Sequence, residues 1–500
     1  MQIITEKTPS IETLEAIQNF EGKYPKQLWY LSLVEMWERF CFYGMRGVLA
    51  FFMVDQLGLT DQKSNLQYGA IQAFVYAFTF IGGIFADKVL GFRKSLFWGG
   101  SLMIVGNLIL AFSPHDLFYV GITLSIIGTG FFKPNISSMV GELYHEKDNR
   151  RDAGYGLFYA GINVGGLLGG AMCIYLGKYV SWNLCFLSAA LVMAFGLGTF
   201  IFTKKYLGPI GNSPLLHLQK AKRTIYEVVV YVGSLLCIPL IFIMVRNTAY
   251  TDYFMYTLGI VALIYFFYEM FSIKEVKARY KLLAAFIFIL CYFIFMAISE
   301  QSGGSLSLFA KDNLDHNLLF FSIDPNVVNN SVNSFFVIVF SPLIGLLWIG
   351  MYKRKIEPNT VVKFGLGFVL LAVSFYVFYA TRFFANDQGI SSLNIFTLGY
   401  LLLTLGELCI GPIGMSIITK LSPKRMFGMM MGMWFLFSAF GQLAAGKLGA
   451  EMSNIENASL MAKLTSYTEG YKSLALYSLI AGIFLILFSQ LIKKLMQEVR

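Results

Sequence analysis

Four charges interrupt an otherwise apolar run, VEMWERFCFYGMRGVLAFFMV, at Glu35, Glu38, Arg39 and Arg46. On a helix, separations of three, four and seven residues set positions 35, 38, 39, 42 and 46 along one stripe. Inside a bilayer each charge costs from about 2.5 kcal/mol upward, so the stripe is expected to face a bundle interior and to have a use there. A carboxylate beside a guanidinium favours its charged form, and it gains proton affinity when the guanidinium moves away. Either the run is not a span or the charges work in it, and two acids with two bases on one stripe leave further partners to be found elsewhere in the bundle. A static Glu35–Arg39 pair that pins helix packing is the alternative, but a buried pair kept for stability alone gains little.

Positioning that stripe is the task of a membrane-embedded scaffold. The 500 residues are 56% hydrophobic and 14% charged, where soluble chains carry about 25% charged residues. Apolar runs long enough for about 20 helical residues fall near 28–54, 66–86, 95–113, 116–142, 153–177 and 181–203, then near 224–246 and 249–271. Six more follow near 280–310, 329–352, 360–383, 391–419, 424–449 and 471–497. The expectation is an all-α polytopic membrane protein of fourteen spans in a 6 + 2 + 6 pattern. Its parts are an N-terminal segment (1–27), a six-helix bundle (28–206), a linker with two additional helices (207–278) and a second six-helix bundle (279–500).

Charge placement gives the orientation. The excess of +10 sits in alternate short loops, at Lys88, Arg93 and Lys94, Lys147, Arg150 and Arg151, Lys204, Lys205, Lys220, Lys222 and Arg223, Lys274, Lys277 and Arg279, Lys353, Arg354 and Lys355, Lys420, Lys424 and Arg425, and Lys493 and Lys494. The other face holds single cations, Lys63, Lys178, Arg246, Lys311 and Arg382. This asymmetry predicts an inner (plasma) membrane protein with both termini cytoplasmic and argues against a nucleic-acid partner. The first 27 residues lack the short apolar region of a cleavable signal. The six cysteines lie within apolar runs and are expected to be buried thiols.

Two sequence features imply a duplicated half. IGTGFFKPNISSMV in the fourth run aligns with LGELCIGPIGMSII in the tenth, with Gly128 over Gly406, Pro134 over Pro412 and Ser138 over Ser416. Coincidence among glycine-rich helices is the alternative. The loop GIFADKVLGFRK, Gly83 to Lys94, resembles the major facilitator loop motif, in which an acid near a helix end meets basic residues. Gly161, Gly165 and Gly169 recur every fourth residue, the spacing for close helix packing.

In such a fold the substrate lies at the midplane between the halves. The other ionisable residues deep in the spans are Lys133 in the first half and Glu300 and Glu407 in the second. By helix rise, Arg46 and Glu300 both lie roughly 27 Å along their spans, level with one another in opposite halves. A cationic wall of Arg39, Arg46 and Lys133 facing an anionic wall of Glu300 and Glu407 selects a substrate with a negative and a positive end, an amino acid or short peptide. Asn163 and Asn333 can hydrogen-bond a peptide backbone, and Tyr43, Tyr76, Tyr159 and Trp434 can line side pockets. An enzyme, metal or cofactor site is not expected, because His115, His145, His217 and His316 lie in or near loops and far apart in sequence.

EMWERFCFYG, KPNIS, GINVG and GELCIGPIG together resemble the proton-dependent oligopeptide transporter family of the major facilitator superfamily, and the two additional helices resemble its bacterial members. The resemblance implies symport of di- and tripeptides with protons, by a monomer in the lipid bilayer. It implies proton coupling by Glu35, Glu38 and Arg39 and a peptide carboxylate near Lys133. It also implies a backbone held by Asn163 and Asn333, an amino terminus at Glu407 and an outer gate of Arg46 and Glu300, with Tyr43, Tyr76 and Trp434 as pocket positions. Three residues depart from the family pattern: Phe42 where a tyrosine is frequent, Ser334 in place of a proline, and Met296 in place of an aromatic. A major facilitator carrier of another solute, such as nitrate, a drug or a sugar, would keep the fold and the loop motif without needing opposed charged walls.

Overall fold

The computed structural model describes residues 13–145, 148, 150–423, 426–453 and 458–497, so Lys147, Lys424 and Arg425 of the charge pattern lie outside the described residues. Helices follow in the order α1 (Leu14–Gln18), α2 (Lys26–Asp55), α3 (Asp61–Phe85), α4 (Phe92–Phe112), α5 (Phe118–Glu142), α6 (Arg150–Tyr179) and α7 (Trp182–Thr203). The additional pair is α8 (Lys220–Arg246) and α9 (Thr248–Ser272). Then come α10 (Val276–Ser299), α11 (Ser305–Asn313), α12 (Pro325–Lys353), α13 (Thr360–Ala380), α14 (Leu393–Leu421), α15 (Phe427–Met452), α16 (Leu460–Leu487) and α17 (Ser489–Met496).

Twelve spans among the described residues are long and apolar enough to cross a membrane on composition alone. Helices α2 and α5, of 30 and 25 residues, have comparable length. Their hydropathy is lowered by the charged stripe in one and by Lys133, Pro134 and Asn135 in the other. Local rules set several starts: Thr60 caps α3 by accepting from the amide of Lys63. Asp324 caps α12 by accepting from Asn326, with Pro325 in the first turn, where its missing N–H costs nothing.

The packing obeys the repeat. In the first half α2 packs on α6, and α4 on both α5 and α7; in the second α10 packs on α15, and α13 on both α14 and α16. The halves meet through α3 against α15 and α6 against α12, again equivalent pairs. This is the major facilitator architecture. Helix α8 leans on α3 and α5, and α9 on α3, α10 and α15, so the additional pair touches both halves from the lipid side.

One expectation needs correction. The run near 280–310 is not one helix: α10 stops at Ser299, Glu300–Gly303 form a single 3-10 turn, and α11 begins at Ser305. The backbone leaves helical geometry at Gly304 (φ −114°, ψ −105°), and both glycines admit close neighbours, since a β-carbon on Gly303 would overlap Tyr68 of α3 and one on Gly304 would press Oδ1 of Asn65 at 2.6 Å. The turn is also tied to α15, where Gln301 donates to the carbonyl of Ala445 at 3.0 Å. Glu300 therefore sits at a helix break and not within a continuous span.

The four-residue glycine ladder of α6 does pack. Gly161 faces the carbonyl of Ser32 at 3.2 Å, and β-carbons on Gly165 and Gly169 would overlap the carbonyls of Met36 and Phe40, one turn apart on α2. Those carbonyls belong to the same helix as the charged stripe, so the ladder holds the stripe against α6. Replacing Gly169 by Val should cost about 1–3 kcal/mol of overpacking and lower the melting temperature in detergent by several degrees. Gly198→Val, which meets open space, should leave it within a degree or two; equal melting of the two variants would show that the ladder carries no packing strain.

Candidate functional site

At the end where α2 finishes and α3, α12 and α16 begin, ion pairs cross between the halves. Lys311 of α11 meets Asp55 of α2. Lys463 of α16 meets both Asp61 of α3 at 3.0 Å and Asp312 of α11 at 2.6 Å. Lys178 of α6 meets Asp324 at 3.0 Å, and Asp324 also accepts from the hydroxyl of Tyr179 at 2.7 Å. Below these, Arg46 meets Glu300 and donates to Tyr68 at 2.7 Å and to Ser302 at 3.3 Å. Among the described residues no ion pair joins α2–α7 to α10–α16 at the opposite end. The halves are thus locked at one face.

Directly beneath the Arg46–Glu300 pair is a cavity with about 170 Å³ open to the centre of a water molecule. Its lining includes Tyr43, Arg46, Tyr76 and Asn163 from the first half and Glu300, Asn333 and Glu407 from the second. Phe42, Met296 and Ser334, the three departures, line it as well. Asn333 spends both amide protons on the second half, one on Glu407 at 3.0 Å and one on Thr404 at 3.1 Å. It therefore fixes the Glu407 carboxylate in place and turns only its oxygen to a guest. Asn163 donates to the carbonyl of Tyr159 at 2.9 Å and likewise keeps its oxygen.

The charged stripe of α2 lies one layer behind the cavity. Arg39 contacts Glu38, and Glu35 at 3.1 Å, with all three side chains buried. Glu35 Oε2 and Glu38 Oε1 have no hydrogen-bond partner among the described residues. The Phe42 ring is 5.0 Å from the Arg39 guanidinium and 5.9 Å from the Lys133 ammonium, and Lys133 also lies 4.7 Å from the Tyr76 ring. The expected cationic wall is corrected accordingly: only Arg46 of the three cations lines the cavity, because Phe42 and Tyr76 interpose their rings. Trp434 is also set back. It stacks on Tyr292 with centroids 3.9 Å apart, and Tyr292 supplies the lining.

Comparison with known proteins places these features in a family. The model of the POT family matches residues 93–466. The chain belongs to the POT family. It is 31% identical to dipeptide and tripeptide permease A of Serratia proteamaculans, covering 91% of this chain and 87% of that protein. It is 34% identical to the peptide transporter YePEPT of Yersinia enterocolitica, covering 86% and 88%. A crystal structure of the peptide transporter POT with sulfate superposes with a TM-score of 0.83 at 29% identity, over 97% of this chain and 99% of that one. A mutant of a peptide transporter POT has also been solved in complex with alafosfalin, and it superposes equally well.

Several residues of the POT site were not singled out from sequence. Asn329 and Asn330 line the cavity beside Asn333, and Asn330 donates to the carbonyl of Tyr43 at 3.1 Å while Asn329 accepts from Tyr400 at 2.6 Å. The run NVVNNSVN was the available signal, since three asparagines within five residues of an apolar span need partners. The partners of Lys178 and Lys311 were missed because single cations on the sparse face read as loop residues.

The stacked ion pairs predict a measurable seal. A cysteine introduced at cavity residue Ser299 should react slowly with a water-soluble thiol reagent from the locked face, and Arg46→Gln or Glu300→Gln should accelerate it at least about tenfold. The exchange Arg46→Glu with Glu300→Arg should restore part of the protection. Removing one partner of a buried pair costs about 3–5 kcal/mol, so size-exclusion profiles of each variant must be compared first. Unchanged labelling in well-folded single variants would show that this pair does not seal the face.

Proposed function

We propose that this POT protein imports di- and tripeptides together with protons by alternating access. The observation that carries the reading is the cavity between the halves, with a carboxylate braced by Asn333 on one side and a buried, charge-balanced cluster behind Phe42 on the other. Glu407 receives the peptide amino terminus, having an asparagine partner and no cation of its own. The free oxygens of Asn163 and Asn333 accept from the backbone, and Tyr43, Tyr76 and Tyr292, backed by Trp434, border the side chains. Lys133 attracts the peptide carboxylate once Phe42 or Tyr76 shifts.

Charge balance supplies the coupling. Glu35, Glu38, Arg39 and Lys133 sum to zero, and the charge of Lys133 acts on both carboxylates. A peptide carboxylate brings the set to −1, which a low-dielectric interior disfavours; one proton on Glu35 or Glu38 restores neutrality. Arg39 is then freed from one acid, the halves rock, and the locked face opens as Arg46 leaves Glu300. In this reading residues 28–206 and 279–500 are the moving halves and 207–278 the inserted pair. The locked face is outside, both termini are cytoplasmic, and the monomer in the plasma membrane is the working unit.

Glu407→Gln should weaken binding of a free dipeptide at least about tenfold while changing binding of the amino-acetylated dipeptide less than about threefold, since charge-assisted bonds of this kind contribute about 1.5–3 kcal/mol. Equal weakening of both ligands would assign Glu407 a structural role. Separately, Glu35→Gln, Glu38→Gln and Arg39→Ala should each abolish gradient-driven accumulation in proteoliposomes, with counterflow exchange of labelled for unlabelled peptide surviving in part. Normal accumulation by all three would remove the cluster from the proton path.

A further inference from the structure

Away from the transport cavity, a second groove opens where α4 and α8 begin and α7 ends. About 550 Å³ of it is open to the centre of a water molecule. Five cations line it: Arg93 and Lys94 on α4, Lys204 and Lys205 just after α7, and Arg223 on α8. Glu227 answers Lys94 at 2.6 Å and Arg223 at 3.5 Å. Lys204 and Lys205 have no acidic partner among the described residues and are exposed. Arg93 donates to the carbonyls of Gly208 and Ile210 at 2.6 and 2.7 Å, which folds the connecting loop over the groove while its charge stays in place. Asp87, the acid of the same loop motif, makes no ion pair among the described residues, while Arg93 and Lys94 of that motif line this groove.

Phe97 and Ile201 are exposed, one turn from the cations along α4 and α7; Phe200, Leu216 and Tyr231 add apolar surface, and the loop residues Gly211, Asn212 and Ser213 border the groove near the cations. Cations lie at the helix ends and apolar side chains run toward the middle of the spans, which is the layering of a phospholipid, phosphate at the rim and acyl chains beside the helix. Free phosphate would use only the first layer.

We infer that this groove binds the headgroup of an anionic phospholipid, its phosphodiester held by Lys204, Lys205 and Arg93 and an acyl chain lying on Phe97 and Ile201. The lipid fills the wedge between α7 of the first half and α8 of the inserted pair. It thereby adds to the tie that Lys94 and Glu227 make, and it biases α8 to travel with the first half.

Native mass spectrometry of the purified, detergent-solubilised protein tests this without any transport assay, so its outcome is independent of the peptide reading. Wild-type protein titrated with phosphatidylglycerol should retain it at least about tenfold over phosphatidylcholine of the same chains, since each basic residue near a headgroup adds appreciable attraction. Lys204→Gln with Lys205→Gln should reduce that preference about fivefold or more, and Lys204→Arg with Lys205→Arg should keep it. Lys353→Gln with Lys355→Gln, at the end of α12, should leave it unchanged. The proposal is overturned by absence of preference in the wild type, by an equal loss in the Lys353 and Lys355 variant, which would mean diffuse attraction to a basic face, or by displacement of the lipid with millimolar inorganic phosphate, which would make it an anion site only.

Discussion

Arg39 lies between two carboxylates of its own helix with all three side chains withdrawn from solvent, and most of the site follows from that constraint. Two ionised acids and one base leave a net charge that a low-dielectric interior disfavours, and the charge of Lys133 on α5 acts on both acids to offset it. The glycine ladder of α6 brings a backbone against α2 closely enough to exclude lipid and water from the cluster. A set of charges that sums to zero tolerates burial; it also registers any charge added to it. That sensitivity is what a proton-coupled carrier needs at the place where substrate and proton must be counted together.

Arg39 of the cluster and Arg46, which pairs with Glu300 at the cavity wall, are both on α2, seven residues apart. Above Arg46 the inter-half pairs rise toward the helix ends, from Lys178–Asp324 to Lys311–Asp55 and Lys463–Asp61, with Asp312 of the second half steadying Lys463. These pairs lie near the helix ends, partly open to solvent, and each contributes only modestly on its own. Acting together and in register they hold two halves whose other mutual contact is mainly α3 on α15 and α6 on α12, with a smaller contact of α2 on α11 and α12. In the proposed cycle this lock of several modest pairs opens once the deepest one is released.

Much of this was legible in the sequence because membrane helices leave few geometric choices. The three-and-four spacing of Glu35, Glu38, Arg39 and Arg46 settles their common face, and helix rise alone brought Arg46 level with Glu300, which the structure joins. The same counting failed to see the break at Gly303 and Gly304, where Tyr68 from a distant helix packs against the glycines. It also could not tell which aromatic faces the cavity. Tyr292 and Trp434 are both in spans, both large, and only their stacking decides that one lines and the other supports. Phe42 was noted as a lost hydroxyl, yet its larger effect is steric, since its ring stands between the cavity and two of the three expected cations. Pairings between helix ends were hidden for a related reason: they depend on how two halves meet, and no local pattern encodes that meeting.

The central claim is that proton entry and peptide entry are one event in one cluster. The most direct measurement is uptake of a labelled dipeptide by the unmodified protein in proteoliposomes, with an alkaline interior and with no pH difference. The account predicts accumulation above the external concentration only with the gradient, its collapse on adding a protonophore, and peptide-dependent acidification of the interior. Equal uptake under both conditions, or accumulation without proton movement, would contradict it.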